Sequence, residues 1–302
     1  VLVACQDASQ QASFVAQRAL ELREEGVALN NMAVLYRSHF HALELQLELT
    51  RRNIPFSITS GIRFFEQAHL KDVTAYLKLV LNPRDELSFK RLVQLLPGVG
   101  GKGADKLWKV FNLELGTRSP EPTATVPLAA ALQSCAKSAP KKAALAWAQF
   151  ATTISQLEAP DVRQSAAKMI PIVIEAGYDD YLKANFANYR SRLDDLKQLA
   201  IFAQQFATVD EFLTQMALLT NVEAEDDQPP ADRDDEKIRL STIHQAKGLE
   251  FDVVFVIMLC DGLFPSARSS ESEEGLEEER RLFYVTITRA KNELYLCHPL
   301  MR

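Results

Sequence analysis

The chain has 302 residues, 47% of them hydrophobic and 25% charged, which is enough apolar material for two cores of ordinary size. No apolar run approaches membrane-spanning length and no signal-peptide pattern opens the sequence, so a helical membrane span is excluded and a soluble, cytoplasmic protein is expected. Net charge is −6, from 34 Lys and Arg against 40 Asp and Glu, a bulk balance that by itself argues against a nucleic-acid partner.

The chain opens on a short strand, Val1-Leu-Val-Ala4, and its abrupt start without an initiator methionine suggests a fragment. Ala12, Val15, Ala16, Ala19 and Leu20 share one helical face over residues 9–25, and Gly26 ends that helix. Met32-Ala-Val-Leu-Tyr36 reads as a buried strand with Arg37 and Ser38 at its carboxyl end. A second helix then runs to about residue 52, and a third strand covers 54–58. This βαβαβ order predicts the start of a doubly wound parallel sheet, in which polar residues just past a strand face a ligand crevice. Tyr36 and Arg37 either cap the sheet edge or line that crevice. His39 and His41 are expected at the surface rather than on a metal.

Leu70, Val73, Leu77 and Val80 form a helical stripe that faces a core, and Asn82-Pro83 stops it. From about residue 84 to 221 the pattern is helical almost throughout, punctuated by prolines and free of strand-like alternation. An all-helical domain inserted between the third and fourth strands is the expectation. Within it, Leu92 to Trp108 reads as two helices around Pro97-Gly-Val-Gly-Gly-Lys102. Glycines at 98, 100 and 101 either make a tight interhelical turn or let backbone N–H groups approach a phosphate. Lys102 is followed by Gly103 rather than Ser or Thr, so this is not a P-loop.

Residues 223–236 hold eight acids and one arginine, and 271–279 hold six acids; without them 26 acidic residues face 33 basic ones. The acidic runs read as solvated linkers or loops, leaving a remainder able to carry a basic surface. Cys5, Cys135, Cys260 and Cys297 form no CxxC pair, so neither a zinc site nor a disulfide framework is indicated.

The last stretch is the densest in motifs. Residues 238–243 read as a strand that breaks at His244 into a polar turn, and the apolar run 253–259 suits a strand buried on both faces. Glu277 and Glu278 stand three or four residues before Arg280 and Arg281, the spacing of surface ion pairs on a helix. Arg289 lies beyond the apolar set Leu282, Phe283 and Val285 with no carboxylate at matching spacing ahead of it. A fixed planar donor at a helix end suits phosphate oxygens.

Thr242-Ile-His-Gln-Ala-Lys-Gly-Leu-Glu-Phe251 resembles motif V of the UvrD/Rep/PcrA superfamily-one helicases. Glu278-Glu-Arg-Arg-Leu-Phe-Tyr-Val-Thr-Ile-Thr-Arg-Ala290 resembles their motif VI, Ala33-Val-Leu-Tyr-Arg37 their motif IV, and 61–66 with 70–83 their motif IVa. Asp261-Gly-Leu-Phe-Pro-Ser266 also matches. The resemblance implies a RecA-like doubly wound sheet (domain 2A, residues 1–83 and 238–302) interrupted by a helical 2B insertion at 84–222, with an acidic linker at 223–237. It implies an ATP-dependent 3′–5′ DNA helicase or translocase of DNA repair or replication, of which this is the C-terminal motor half. ATP with Mg²⁺ is the implied cofactor. No GxxxxGK[ST] occurs, so the phosphate cradle and Mg²⁺ ligands are expected on an N-terminal RecA-like partner domain.

By the same resemblance Arg37 and Arg289 are the catalytic arginines at the γ-phosphate. Tyr36 stacks on the base, Glu250 accepts a ribose hydroxyl, and Gly248 lies at the nucleotide. Arg63, Thr242 and His244 contact single-stranded DNA. In the phosphate reading of the 97–102 turn, Gly98, Gly100 and Lys102 contact the duplex at the junction. Gln67 stands where relatives commonly carry a basic residue, which weakens one charge contact. A helicase subunit of the nuclease-coupled RecB/AddA type shares these motifs, and a non-catalytic DNA-binding module is the alternative from another class.

Overall fold

The computed structural model describes residues 1–59, 64–118, 127–225, 236–267 and 269–301. The chain divides into two compact units, one of residues 1–64 with 219–302 and one of residues 65–218.

The first unit is α/β. Its elements are β1 (Leu2–Cys5), α1 (Ala8–Glu24), β2 (Met32–Tyr36), α2 (Leu43–Arg51) and β3 (Phe56–Thr59). The second unit follows with α3 (Ala68–Leu81), α4 (Glu86–Gln94), α5 (Gly101–Arg118), α6 (Leu128–Cys135), α7 (Ala144–Leu157), α8 (Ala166–Val173), α9 (Asp179–Asn185), α10 (Tyr189–Phe202) and α11 (Val209–Glu225). The first unit then resumes with β4 (Ile238–Thr242), β5 (Phe251–Val256), α12 (Glu273–Ile287) and β6 (Ala290–Pro299).

Six strands form one sheet in the order β1-β6-β5-β2-β4-β3, with every pairing parallel. The parallel sheet is as the sequence predicts, but β1, β2 and β3 are not neighbours. Strands from the last quarter of the chain lie between them: β6 and β5 separate β1 from β2, and β4 separates β2 from β3. The all-apolar strand β2, buried at all five positions, is therefore the middle of the sheet.

Alternation along β2 divides the core. Met32, Val34 and Tyr36 face α1 and α2 with Ala16, Leu22, Leu45, Leu240 and Phe255. Ala33 and Leu35 face the other way, packing with Ile243, Phe251, Val254, Phe264 and Leu282 of α12. Helices thus cover both faces, as a doubly wound sheet requires. Asp7 caps α1, its carboxylate accepting from Gln10 N at 2.8 Å, and Gly26 ends the helix region at φ +96°.

Among its described residues the second unit is helical throughout. Its core holds two buried polar centres. Asp72 accepts from Arg91 Nε and from the Tyr178 hydroxyl, both at 2.6 Å. His69, fully buried, lies 3.2 Å from Asp195 Oδ2 and 3.1 Å from Arg192 Nη1. The proline-rich stretch at 119–126 and most of the acidic linker, 226–235, lie outside the described residues. Its first acids belong to α11, which runs to Glu225.

The second acidic run, expected as a solvated loop, is corrected by the structure: from Glu273 onward it is the first half of α12. Ser272 caps this helix, accepting from Gly275 N at 3.1 Å. The expected surface pairs do form there, Arg280 with Glu277 and Arg281 with Glu278, all four side chains at least half exposed or nearly so. His41 corrects another expectation, being 4% exposed, with neither ring nitrogen hydrogen-bonded among the described residues.

Candidate nucleotide and nucleic-acid site

The site is built on the α12 side of the sheet. Because side chains alternate along a strand, Tyr36 and the residue after it point to opposite faces. Tyr36 is 0% exposed in the α1/α2 core, edge-on to His39 with ring centroids 6.1 Å apart. In this arrangement its ring has no face open to a base. Arg37 turns the other way, onto α12.

There it meets a carboxylate that the sequence hides in a run of acids. Arg37 Nε donates to Glu279 Oε1 at 3.1 Å and Oε2 at 3.4 Å. Glu279's side chain is 4% exposed and Arg37's is 25% exposed. Ser269 Oγ donates to the same Oε1 at 2.9 Å, and Ser266 Oγ stands 2.7 Å from Ser269 Oγ. With Ser269's proton committed to the carboxylate, Ser266 donates to Ser269. The close approach is permitted by Gly275, where a Cβ would sit 2.3 Å from the Ser269 carbonyl oxygen. Among the described residues, no protein group takes up Arg37 Nη1 or Nη2.

Arg289 is held differently. It follows α12 and immediately precedes β6, and it ties three points together: Nε donates to Val285 O at 2.9 Å, Nη1 to Leu249 O at 3.0 Å, and Nη2 to Thr288 Oγ1 at 3.0 Å. None of these three partners is a carboxylate. A guanidinium has five N–H groups, so Nη1 and Nη2 each keep one more donor. The two arginines do not share a partner. Arg37 is anchored to α12 at residue 279 and Arg289 at residue 285, a rise of about 9 Å along the helix axis.

Residues 243–250 return the chain from the carboxyl end of β4 to the amino end of β5. Thr242 is 8% exposed and closes this turn: its hydroxyl donates to Gln245 Oε1 and its carbonyl accepts from Gln245 N and Ala246 N, all at 3.0 Å. Its side chain is thus an element of the turn. His244 is exposed beside Arg37. Local desolvation and the Arg37 charge lower its pKa, offset in part by Glu279 and Glu278. Gly248 takes φ +87° to end the turn, and Glu250 is exposed. Arg63 lies outside the described residues.

In the helical unit, Gly98 takes φ +78° between α4 and α5, while a Cβ at Gly100 would meet nothing within 4 Å. Phe89 of α4 stacks on Phe111 of α5 at 4.6 Å and packs against Trp108 at 5.3 Å, which fixes the two helices about the turn. Lys102, Lys106 and Lys109 are exposed along α5. A groove of about 630 Å³ on the sheet unit is lined by Leu276, Phe283, Tyr284 and Ile287 with Arg280 at its edge, too apolar for a phosphate chain. Free N–H groups on two arginines fit a polyphosphate anion. Among the described residues no group of three or more His, Cys, Asp or Glu side chains is placed to hold a metal ion.

The sequence signature of the UvrD-like helicase C-terminal domain matches residues 1–116 and 130–299. DNA helicase II of Haemophilus influenzae is 33% identical over 298 residues, 97% of this chain and 40% of that protein. The ATP-dependent DNA helicase PcrA of Bacillus subtilis is 32% identical over 301 residues, 96% of this chain and 39% of its own. Escherichia coli DNA helicase II is 31% identical over 304 residues, again 97% and 40%. The chain therefore spans about 40% of the length of the curated relatives it matches.

Proposed function

The chain belongs to the UvrD-like helicase C-terminal domain family, and we propose that it is the C-terminal motor half of an ATP-dependent DNA helicase or translocase. Its parallel sheet then serves as the RecA-like 2A domain, and the helical unit as the 2B insertion. A partner N-terminal RecA-like domain supplies the phosphate cradle and the Mg²⁺ ligands. The relatives' names supply the substrate and the nucleotide, ATP and DNA.

The observation that carries this reading is Arg37: gripped by its Nε edge, one-quarter exposed, with Nη1 and Nη2 uncommitted among the described residues. Bound ATP supplies the scissile phosphoanhydride. Arg37 and Arg289 neutralise charge on its phosphates as the bond breaks, a role in which preorganised donors act without reorganisation. Arg289 is also bonded to Leu249 in the turn that carries His244, so whatever moves Arg289 moves a segment placed for single-stranded DNA. That linkage joins nucleotide state to DNA grip; the 3′–5′ direction of stepping rests on the resemblance alone.

Two measurements test the proposal. The isolated chain should show no DNA-stimulated ATP hydrolysis; turnover would overturn the shared-site reading. In the full-length parent, Arg289→Ala and Arg37→Ala should each lower kcat about 10³-fold, with a smaller change in KM. Near-normal kcat in both would remove the arginines from the phosphates.

A further inference from the structure

We infer that Glu279 is a positioning residue for nucleotide hydrolysis: it clamps Arg37 by the Nε edge so that Nη1 and Nη2 present to the phosphates. The inference rests on the reading of Arg37 given above and names the group that makes that reading work.

The first argument is the cost of the residue. Glu277 and Glu278 on the same helix are 49% and 61% exposed and pair with exposed arginines, whereas Glu279 is 4% exposed. Counting along α12, Glu279 shares the buried face of Leu282 and Thr286, three and seven residues on. An apolar side chain there would continue the packed stripe without desolvating a charge, and such replacements are often neutral or stabilising. Stability alone therefore gives this carboxylate no reason to be where it is.

The second argument is its geometry. Both oxygens address Nε, at 3.1 and 3.4 Å, rather than the two-pronged Nη face that a carboxylate usually takes. The grip is on the back edge of the guanidinium, and the front edge, with four N–H groups, stays available. The clamp is itself held: Ser269 donates to Oε1, Ser266 supports Ser269, and Gly275 admits the loop that carries both. One buried carboxylate thus joins the end of β2, the 266–272 loop and α12, three segments that meet only in the folded sheet unit. His244 on the motif V turn feels the charge of both Arg37 and Glu279.

The chemistry asked of Glu279 is modest. It neither touches the nucleotide nor transfers a proton. It removes the freedom of a long side chain before substrate arrives, so that the donors need not be ordered at the moment of reaction.

The test is a double-mutant cycle in the full-length parent, measuring single-strand-stimulated ATP hydrolysis and the melting curve of each variant. Glu279→Leu removes the clamp while filling its space, and Glu279→Gln keeps the shape and one acceptor. We expect kcat to fall about 10²-fold for Glu279→Leu, the scale of a 1 Å misplacement, and about 10-fold for Glu279→Gln, with KM for ATP changed less and Tm kept or raised in Glu279→Leu. In the Arg37→Ala background neither substitution should lower kcat further. If Arg37→Ala is impaired while both Glu279 variants keep normal kcat, the inference is overturned and Arg37's role stands. If the losses at 37 and 279 multiply, Glu279 acts apart from Arg37 and the inference is likewise overturned. Near-normal kcat in Arg37→Ala would overturn the reading of Arg37 and this inference with it.

Discussion

Arg37 and Glu279 are 242 positions apart in the chain and in direct contact, Nε to Oε1 at 3.1 Å. The pair joins the carboxyl end of the central strand to the helix on one face of the sheet, and it makes Arg37 a structural residue as well as a functional one.

Stability should report that pairing independently of activity. Arg37→Ala leaves Glu279 buried and unpaired, and unfolding free energy should drop by about 3 kcal/mol, the low end for a broken buried pair because Arg37 is partly exposed. Adding Glu279→Gln should recover most of the loss. Urea unfolding of Arg37→Ala and of the double variant checks this, and a double variant no more stable than Arg37→Ala would show that the unpaired carboxylate carries no burial cost.

His41 should give the sheet unit an acid sensitivity. Burial, with the Arg37 charge adding to it, lowers its pKa from 6.5 to about 3. The unfolded chain binds this proton from about pH 6.5 downward and the folded chain does not until about pH 3. Stability from this group is therefore whole above pH 6.5 and lost as pH falls toward 3, at up to about 1.4 kcal/mol per pH unit. Carboxylates titrate in part of the same window, so the observable is the difference between the parent chain and His41→Phe. Parallel stability curves for the two from pH 7 to 4 would refute the account.

The turn between α4 and α5 offers a clean separation of contact from fold. Gly100 has an ordinary φ and open space where a Cβ would go, so Gly100→Ala and Gly100→Glu should leave the melting temperature within a degree or two, as should Lys102→Glu. We expect Gly100→Glu and Lys102→Glu to weaken binding to a duplex with a 3′ tail and to flatten its salt dependence, as loss of phosphate contacts does. Fluorescence anisotropy from low to moderate salt is the measurement. Unchanged affinity in both variants would leave the turn a connector between helices.

In the helical unit, Asp72 should be the costliest single polar residue to lose. Asp72→Ala strands Arg91 and the buried Tyr178 hydroxyl, whose pKa is raised first by burial and then by Asp72. A loss of about 3 kcal/mol is expected, with Asp72→Asn intermediate. Denaturant unfolding decides it, and a loss under about 1 kcal/mol would mean that water replaces both bonds.

Much of this architecture could be read from residue order. The strand Met32–Tyr36, the caps at Asp7 and Gly26, and the surface pairs on α12 all follow from local pattern, because local backbone preference and burial agree there. Strand order could not, since β2 takes neighbours from some 200 residues further on, and no local signal encodes that pairing. Glu279 was readable in principle. Its spacing to Leu282 and Thr286 puts it on the apolar stripe, but the surrounding acids suggest a solvated run. Tyr36 shows the opposite limit: the motif puts it beside Arg37, alternation sends the two side chains to opposite faces, and only the fold shows which of those faces carries α12.

The sheet's interleaved order also sets a timetable. During synthesis β2, apolar on both faces, emerges roughly 200 residues before β4 and β5, which must flank it, a lag of about 10–40 s at ordinary elongation rates. Helices 68–218 are contiguous and can close their own contacts in that interval. The nascent chain thus carries an unpaired, aggregation-prone strand throughout that lag, and chaperone dependence in the cell should trace to Met32–Tyr36 rather than to the larger helical unit.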